Sequence, residues 1–398
     1  MSILDRIQRR SNIIDLTEPT QAWFGALSAQ SSSGKTVSPA TGLQLVPVFS
    51  AIQLISGAIA SLPLKVYRQL PDGGKVATPR HMAQGLIDRP NSVHGGGEFR
   101  QIMAVHLLTW GNFYGYKERD ASGRVTDVWP LTPSRVRVSR RATNALLDYW
   151  IDGQGPFDER TILHVRGLSS DGVVGLSPIQ QARNSLGTAM SLEEYQGAFW
   201  KNGARPSGVL KHPQRLTAEA AQRLRAQWES SHGSSNGNMA RVSVLEEGMS
   251  YENVSLPAED SQLIESAHFS DIRVAQLYRV PPHMLMTSSK SSMTYSTTEL
   301  EGRHFVTYCL FPWLARLTEA LLRDPDWFID GPEFFPQFDT SPLTRGDLRT
   351  QAETDVALVA AGIITADEAR QNLDLNPLPA RAGSVAAQPT QPAAGGNC

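Results

Sequence analysis

Glu98-Phe99-Arg100-Gln101-Ile102-Met103-Ala104-Val105-His106-Leu107-Leu108-Thr109-Trp110-Gly111-Asn112-Phe113-Tyr114-Gly115-Tyr116-Lys117-Glu118-Arg119 changes character half-way. From Glu98 to Trp110 the spacing of Phe99, Ile102, Met103, Val105, His106 and Leu107 predicts a helix with those residues on its buried face. Gly111-Asn112 stops it. Phe113 to Arg119 then reads as a strand, Asp120-Ala121-Ser122-Gly123 as a hairpin turn and Val125 to Pro130 as the returning strand. Arg135 to Ser139, Leu147 to Ile151 and Ile162 to Val165 are further short strands, so this region is α+β with antiparallel pairing.

Toward the N-terminus, Val48, Ile52, Ile55 and Ile59 set one face of a helix from Val48 to Leu62 that Pro63 ends. Leu64-Lys65-Val66-Tyr67 alternates as a strand, and Pro71-Asp72-Gly73-Gly74 is a turn. Residues 1–40 read as a loose arm, flexible through Ser28 to Thr36. Toward the C-terminus, Ser177-Pro178 pairs an N-cap serine with a first-turn proline and opens a helix that Gly203 closes. A small insert follows: strand Gly208 to Lys211, helix Thr217 to Ser230, a loop from Gly233 to Asn238, and a hairpin of Val242 to Leu245 with Tyr251 to Val254. Pro257 opens a helix that runs to Val280, a rod of roughly 36 Å at 1.5 Å per residue, and Pro281-Pro282 terminates it. An insert between two long helices sits at the far end of a helical hairpin.

Met286 to Tyr295 is a Ser/Thr-rich loop, long enough between helices to suggest function or disorder, with an ordinary surface loop as the alternative. Ser296-Thr297-Thr298-Glu299 is a capping box that starts a helix to about Leu322, kinked at Pro312. Leu343 to Ala361 and Ala366 to Leu373 read as helices. The second has its own capping box, Thr365-Ala366-Asp367-Glu368, with Ile364 as the staple. Residues 377–398 are rich in Pro, Ala, Gly and Gln and are expected to be disordered.

With 37 Lys and Arg against 39 Asp and Glu, the 398-residue chain has a formal charge of −2, which argues against a DNA-coating basic protein and against an acidic solvating one. Hydrophobic residues make up 40%, enough for a core and against wholesale disorder. Two cysteines, Cys309 and Cys398, build no disulfide framework and fit a reducing compartment. The most apolar window, Val46 to Leu64, is broken by prolines and polar residues and reads as a buried helix, so no membrane is expected as partner.

Three motifs fail on inspection. Gly34-Lys35-Thr36 lacks the glycine that a phosphate loop needs at position 29, which is alanine, and no strand precedes it. His94-Gly95-Gly96-Gly97 resembles a lipase oxyanion loop, but Gly175-Leu176-Ser177-Pro178-Ile179 lacks the last glycine of a nucleophile elbow and reads as a helix cap. The histidines are scattered, with no His-Glu-x-x-His and no Cys/His cluster, so no metal or cofactor is expected.

The succession of landmarks resembles the portal proteins of long-tailed, lambdoid-type bacteriophages. The pieces are Val48-Phe49-Ser50-Ala51-Ile52 through Leu62-Pro63-Leu64-Lys65-Val66-Tyr67, Asp88-Arg89-Pro90-Asn91, Gly111-Asn112-Phe113-Tyr114, Trp129-Pro130-Leu131-Thr132-Pro133, His164-Val165-Arg166, Gly175-Leu176-Ser177-Pro178, Asn202-Gly203-Ala204-Arg205-Pro206-Ser207-Gly208, Val280-Pro281-Pro282 and Phe311-Pro312. Each is weak alone; their co-linear order over nearly the whole chain is specific.

The resemblance implies a mostly helical α+β subunit with wing, stem, clip and crown that assembles into a ring of about twelve copies. It divides the chain into an arm (1–40), wing (41–177), wing-to-stem helix (178–206), clip (207–256), second stem helix (257–280), tunnel loop and kinked wing helix (281–343), crown (344–376) and tail (377–398). It implies a structural protein of the virion, not an enzyme, assembled in the bacterial host cytoplasm and placed at the capsid vertex. Double-stranded DNA passes through the ring during packaging and ejection. The implied partners are the terminase large subunit, which supplies ATP hydrolysis, a head–tail adaptor and the major capsid protein.

In that setting Ser288, Ser289, Lys290, Ser291, Ser292 and Thr294 of the tunnel loop face the channel, with Lys290 the one charge available to phosphate. Glu259, Asp260, Glu265 and Asp271 of the stem helix are candidates for an acidic lining that repels the DNA backbone. The competing readings are a portal of a gene transfer agent or defective prophage, a soluble serine hydrolase dependent on Ser177 or His94, and a DNA-binding module, which the −2 charge disfavours.

Overall fold

In the computed structural model the described residues are 29–141, 146–201, 209–211, 219, 222–223, 250–252, 270–285, 302–344, 348–373 and 375–376. The chain forms two compact units, Met1–Thr340 and Ser341–Cys398.

The first unit opens with a hairpin of β1 (Ala29–Gln30) and β2 (Thr36–Val37), followed by a short helix α1 (Pro39–Gly42) capped by Ser38. This stretch was expected to be flexible. It is held because Val37 is buried, Lys35 pairs with Glu194, and the Ser32 N–H donates to Asn184 Oδ1 at 3.1 Å. Next come α2 (Val46–Ser61), β3 (Leu64–Gln69), β4 (Lys75–Ala77), α3 (Met82–Asp88) and α4 (Gly96–Trp110). The α2 helix packs on α4. It buries Val48, Ile52, Ile55 and Ile59, as their spacing predicts. On α4 the buried set is Phe99, Met103, Ala104, Leu107 and Leu108. Ile102, Val105 and His106 lie on the flanks and are only half-buried, because a stripe that faces both α2 and a sheet is centred one position away.

Strands β5 (Asn112–Arg119), β6 (Val125–Leu131), β7 (Val136–Arg140), β8 (Leu147–Ile151), β9 (Gln154–Phe157) and β10 (Ile162–Arg166) form two three-stranded antiparallel sheets, ordered β10-β5-β6 and β7-β8-β9. Tyr114, Leu131 and Ile162 of the first sheet share a core cluster with Val136, Leu147, Tyr149 and Ile151 of the second. Phe113 meets Phe99 of α4 edge-on at 5.5 Å, so Phe113 and Tyr114, on opposite faces of β5, are both buried.

Two helices follow in place of the expected one, α5 (Pro178–Gln181) and α6 (Arg183–Lys201), broken at Ala182. A small β11 (Val209–Lys211) pairs with β12 (Ser250–Glu252). After helical residues 270–278, the run 302–323 begins α-helical, passes through a wide π turn (Phe305–Leu310), and continues as α7 (Phe311–Arg323). Pro312 has no N–H to offer the Tyr308 carbonyl and its ring crowds that carbonyl; the widened turn relieves both, where a simple kink was expected. Gly302–Arg323 is long and apolar enough in composition to cross a membrane, yet Leu310, Leu314, Leu317 and Leu321 are core residues of this fold. The strand β13 (Phe334–Phe338), not legible in the sequence, pairs with β3.

A buried ion cluster fastens the end of α7 to the first sheet. Lys117 Nζ donates to Asp324 Oδ2 at 2.8 Å, Asp326 Oδ2 at 2.7 Å and the Glu159 carbonyl at 2.9 Å, and Arg119 grips Asp326 with two nitrogens. The carboxylates divide. Burial raises the pKa of Asp324, whereas on Asp326 the hydrogen bonds from Arg119 and Lys117 outweigh burial and lower it.

The second unit holds α8 (Ser341–Thr344), α9 (Leu348–Ala360) and α10 (Ala366–Asn372). The second capping box forms as read: Thr365 Oγ1 accepts from the Glu368 N–H at 3.2 Å, and Glu368 Oε2 accepts from the Thr365 N–H at 2.7 Å.

Candidate functional site

The candidate channel-facing residues Ser288, Ser289, Lys290, Ser291, Ser292 and Thr294 lie outside the described residues, as do Glu259, Asp260, Glu265 and the capping box at Ser296. The chain is described up to Leu285 on the incoming side and again from Gly302 on the outgoing side. On the incoming side the helix over 270–278 ends as Arg279 turns into a left-handed conformation with φ 56°. The Val280 N–H closes on the Ala275 carbonyl at 2.9 Å, and Pro282–Leu285 makes a 3-10 turn. Left-handed backbone followed by two prolines is a firm stop, since proline can donate no hydrogen bond.

On the outgoing side Phe305, Val306, Cys309 and Leu310 are buried. The roots are joined directly. Cys309 Sγ donates to the Tyr278 carbonyl at 3.3 Å, and the Tyr278 hydroxyl donates to the Leu108 carbonyl of α4 at 3.2 Å. Burial pushes the Cys309 thiol up to about 12, so it stays protonated and serves as a donor. The described segments before and after the loop are thereby tied to the core helix α4.

Asp271, the one stem candidate among the described residues, is half-buried beside α6. Burial of Glu193 on α6 raises its carboxyl pKa, and the charge of Asp271 adds to the rise. The helical residues 270–278 line two clefts with α6, which places Asp271 at a helix–helix contact.

The turn from α4 into β5 carries a polar junction that sequence reading took only as a helix stop. Gly111 has φ 76°, and a Cβ there would collide with the Leu176 carbonyl. The Asn112 side chain brackets Gly175, accepting from its N–H at 2.6 Å and donating to its carbonyl at 2.8 Å. Asn112 Oδ1 also meets His164 Nε2 at 3.1 Å, and Tyr149 lies 3.3 Å from Nδ1. Burial, with Arg166 and Arg323 nearby, holds the His164 pKa well below the usual value. Next to it the Ser177 hydroxyl donates to the Thr109 carbonyl at 2.6 Å and caps α5. A serine engaged in this way is a structural cap, and His94 is bonded to Asn91. Among the described residues no group of three His, Cys, Asp or Glu side chains could hold a metal ion.

The family profile of the phage portal proteins matches residues 47–374. The chain belongs to the phage portal protein family. It is 29% identical over 397 residues to the probable portal protein of Streptomyces phage phiC31, covering 94% of this chain and 83% of that protein. It is also 29% identical over 357 residues to the portal protein of Enterobacteria phage HK97, covering 88% and 82%.

Among solved structures, a chain in the neck of a native gene transfer agent particle, computed with C12 symmetry, aligns with a TM-score of 0.60 at 24% identity, covering 85% of this chain and 92% of that one. The crystal structure of an HK97-family phage portal protein from Corynebacterium diphtheriae aligns with a TM-score of 0.56 at 17% identity, covering 77% and 96%. The portal-type α+β fold read from the sequence is the fold of this chain. The motifs that carried the resemblance recur as joints of this portal fold. Gly111-Asn112 and Gly175-Leu176-Ser177 meet at one junction, and Val280-Pro281-Pro282 forms one loop root.

Proposed function

We propose that this portal protein is one subunit of a ring of about twelve copies that forms the DNA channel at the capsid vertex, a structural conduit and not an enzyme. The family match over residues 47–374 carries the proposal. The likeness of its fold to a chain of a neck computed with C12 symmetry supports the closed ring. Likenesses run to phage proteins and to gene transfer agent particles alike, so the proposal covers a portal of either particle, which neighbouring genes distinguish.

Within the ring, the loop bearing Ser288, Ser289, Lys290, Ser291, Ser292 and Thr294 faces the channel. A hydroxyl-rich loop with a single cation meets phosphate without gripping it, which suits moving DNA. The flanking segments, joined through Cys309 and Tyr278, support the loop from either side. Glu259, Asp260, Glu265 and Asp271 belong to the second stem helix, 207–256 forms the clip that docks the terminase and later the head–tail adaptor, and the wing meets the major capsid protein. Assembly takes place in the host cytoplasm and the finished ring resides in the virion. Native mass measurement with particle imaging tests the proposal. A ring of roughly a dozen subunits with a central hole is expected, and a monodisperse species of about 43 kDa overturns it.

A further inference from the structure

Two clefts in the first unit carry opposite charge. The first, about 250 Å³, lies where the end of β10 meets α7, and Arg166, Arg316 and Arg323 line it against a single acid, Glu319. Backbone carbonyls hold the guanidiniums. Arg316 Nη1 donates to Gly167 at 2.7 Å, Arg166 donates to Gly172, and Arg323 reaches the His164 carbonyl at 3.5 Å. Among the described residues none of the three forms an ion pair with a carboxylate. A guanidinium has five N–H donors, and these contacts use few of them. Burial and the charge of Arg323 lower the pKa of Arg166, and Tyr149 and Glu159 offset this only in part. Two leucines stand exposed nearby: Leu168 in the cleft at 65%, and Leu322, the neighbour of Arg323 in the chain, at 47%. Arginine next to exposed leucine is the anatomy of a protein contact more than of a phosphate groove.

The second cleft, about 100 Å³, is lined by Leu45, Pro47, Leu192, Glu193, Asp271 and Val274, among others. No cation among the described residues pairs with Glu193. On the same turn of α2 as Pro47, Val46 is 70% and Phe49 52% exposed. The first cleft totals +2, three arginines less Glu319, and Glu193 brings a negative charge to the second.

We infer that the arginine cleft of one protomer receives Glu193 of the partner subunit, with Leu168 and Leu322 packing against the apolar turn around Val46 and Phe49. The occupant is a second copy of this chain. Two different patches on one chain make a heterologous contact, the kind that closes into a ring when the rotation allows. The charge pair selects the register between copies and the apolar rim excludes water from it. The inference rests on the ring reading above and adds which surfaces meet.

The test uses the full chain with Cys398→Ser and the pair Arg323→Cys with Glu193→Cys, assembled and mildly oxidised. A ladder of disulfide-linked multimers up to the ring is expected, with each single-cysteine variant staying at monomer mass. Separately, Arg323→Glu raises the protomer concentration at half assembly by about tenfold or more, and adding Glu193→Arg restores it. Should Arg323→Glu fail to fold by circular dichroism, the cysteine pair decides alone.

Rings that form without cross-linking, or that assemble unchanged with Arg323→Glu, overturn the inference and leave the ring reading standing. A disulfide within one chain, giving monomer only, overturns it as well. Normal assembly of Arg323→Glu with reduced DNA retention reassigns the cleft to phosphate and overturns it. A monomeric wild-type chain overturns the ring reading itself.

Discussion

At the residue scale, three side-chain environments decide measurable properties. Gly111 combines a left-handed φ of 76° with the Leu176 carbonyl packed where a Cβ would stand. Gly111→Ala is expected to cost about 3 kcal/mol or more in urea unfolding, strain and overlap acting together. His164 sits neutral between Asn112 and Tyr149. Its folded pKa is depressed, so the unfolded chain takes up the proton first. Stability from this site is complete above the unfolded value of about 6.5 and is lost as pH falls from there toward the folded value. Thermal unfolding between pH 7 and pH 4 should show that loss, and His164→Gln should flatten it. Cys309 is buried, with its pKa pushed up to about 12. In a Cys398→Ser background, thiol reagents at pH 7.5 should label it only as fast as the protein unfolds; rapid labelling would mean that the loop roots open in the native state.

At the element scale, the ends of elements matter more than their middles. The run from Gly302 meets Pro312 and answers with a π turn, and that turn sets Cys309 against the Tyr278 carbonyl. Further along, Lys117, Arg119, Asp324 and Asp326 hold the end of α7 to β5. Lys117→Met leaves the buried Asp324 carboxylate without its cation, while Arg119 still holds Asp326, and should destabilise the fold by about 3–5 kcal/mol. Adding Asp324→Asn and Asp326→Asn should recover much of that in equilibrium unfolding. No recovery would show that the lysine acts through packing and not through charge.

At the scale of the whole molecule, the expected behaviour is that of a conduit. Deleting residues 288–292 should leave ring assembly intact and impair DNA retention or packaging, checked by imaging the rings and by quantifying packaged DNA. Failure of assembly would make the loop structural. The near-zero net charge fits a tube through which DNA must move, because each neutralised phosphate adds affinity and slows passage.

What the sequence determined by itself was periodicity and punctuation. The faces of α2, the strand from Leu147 to Ile151, the capping box at Thr365 and the proline stop at Pro281 are local, so neighbours in the chain suffice to specify them. The order of motifs extended that reading to the family. Tertiary structure decided what depends on residues far apart. The β1–β2 hairpin forms because α6 supplies Glu194 and Asn184 as partners. Strand β13 forms because β3 offers an edge, despite Pro336 within its run. Asn112 became a junction, not merely a stop, when the loop bearing Gly175 folded onto it. The two charged clefts are likewise assembled from β10 with α7 and from α2 with α6, whose residues carry no shared signal along the chain. Each of these contacts gains its free energy by removing water from groups that only the fold brings together.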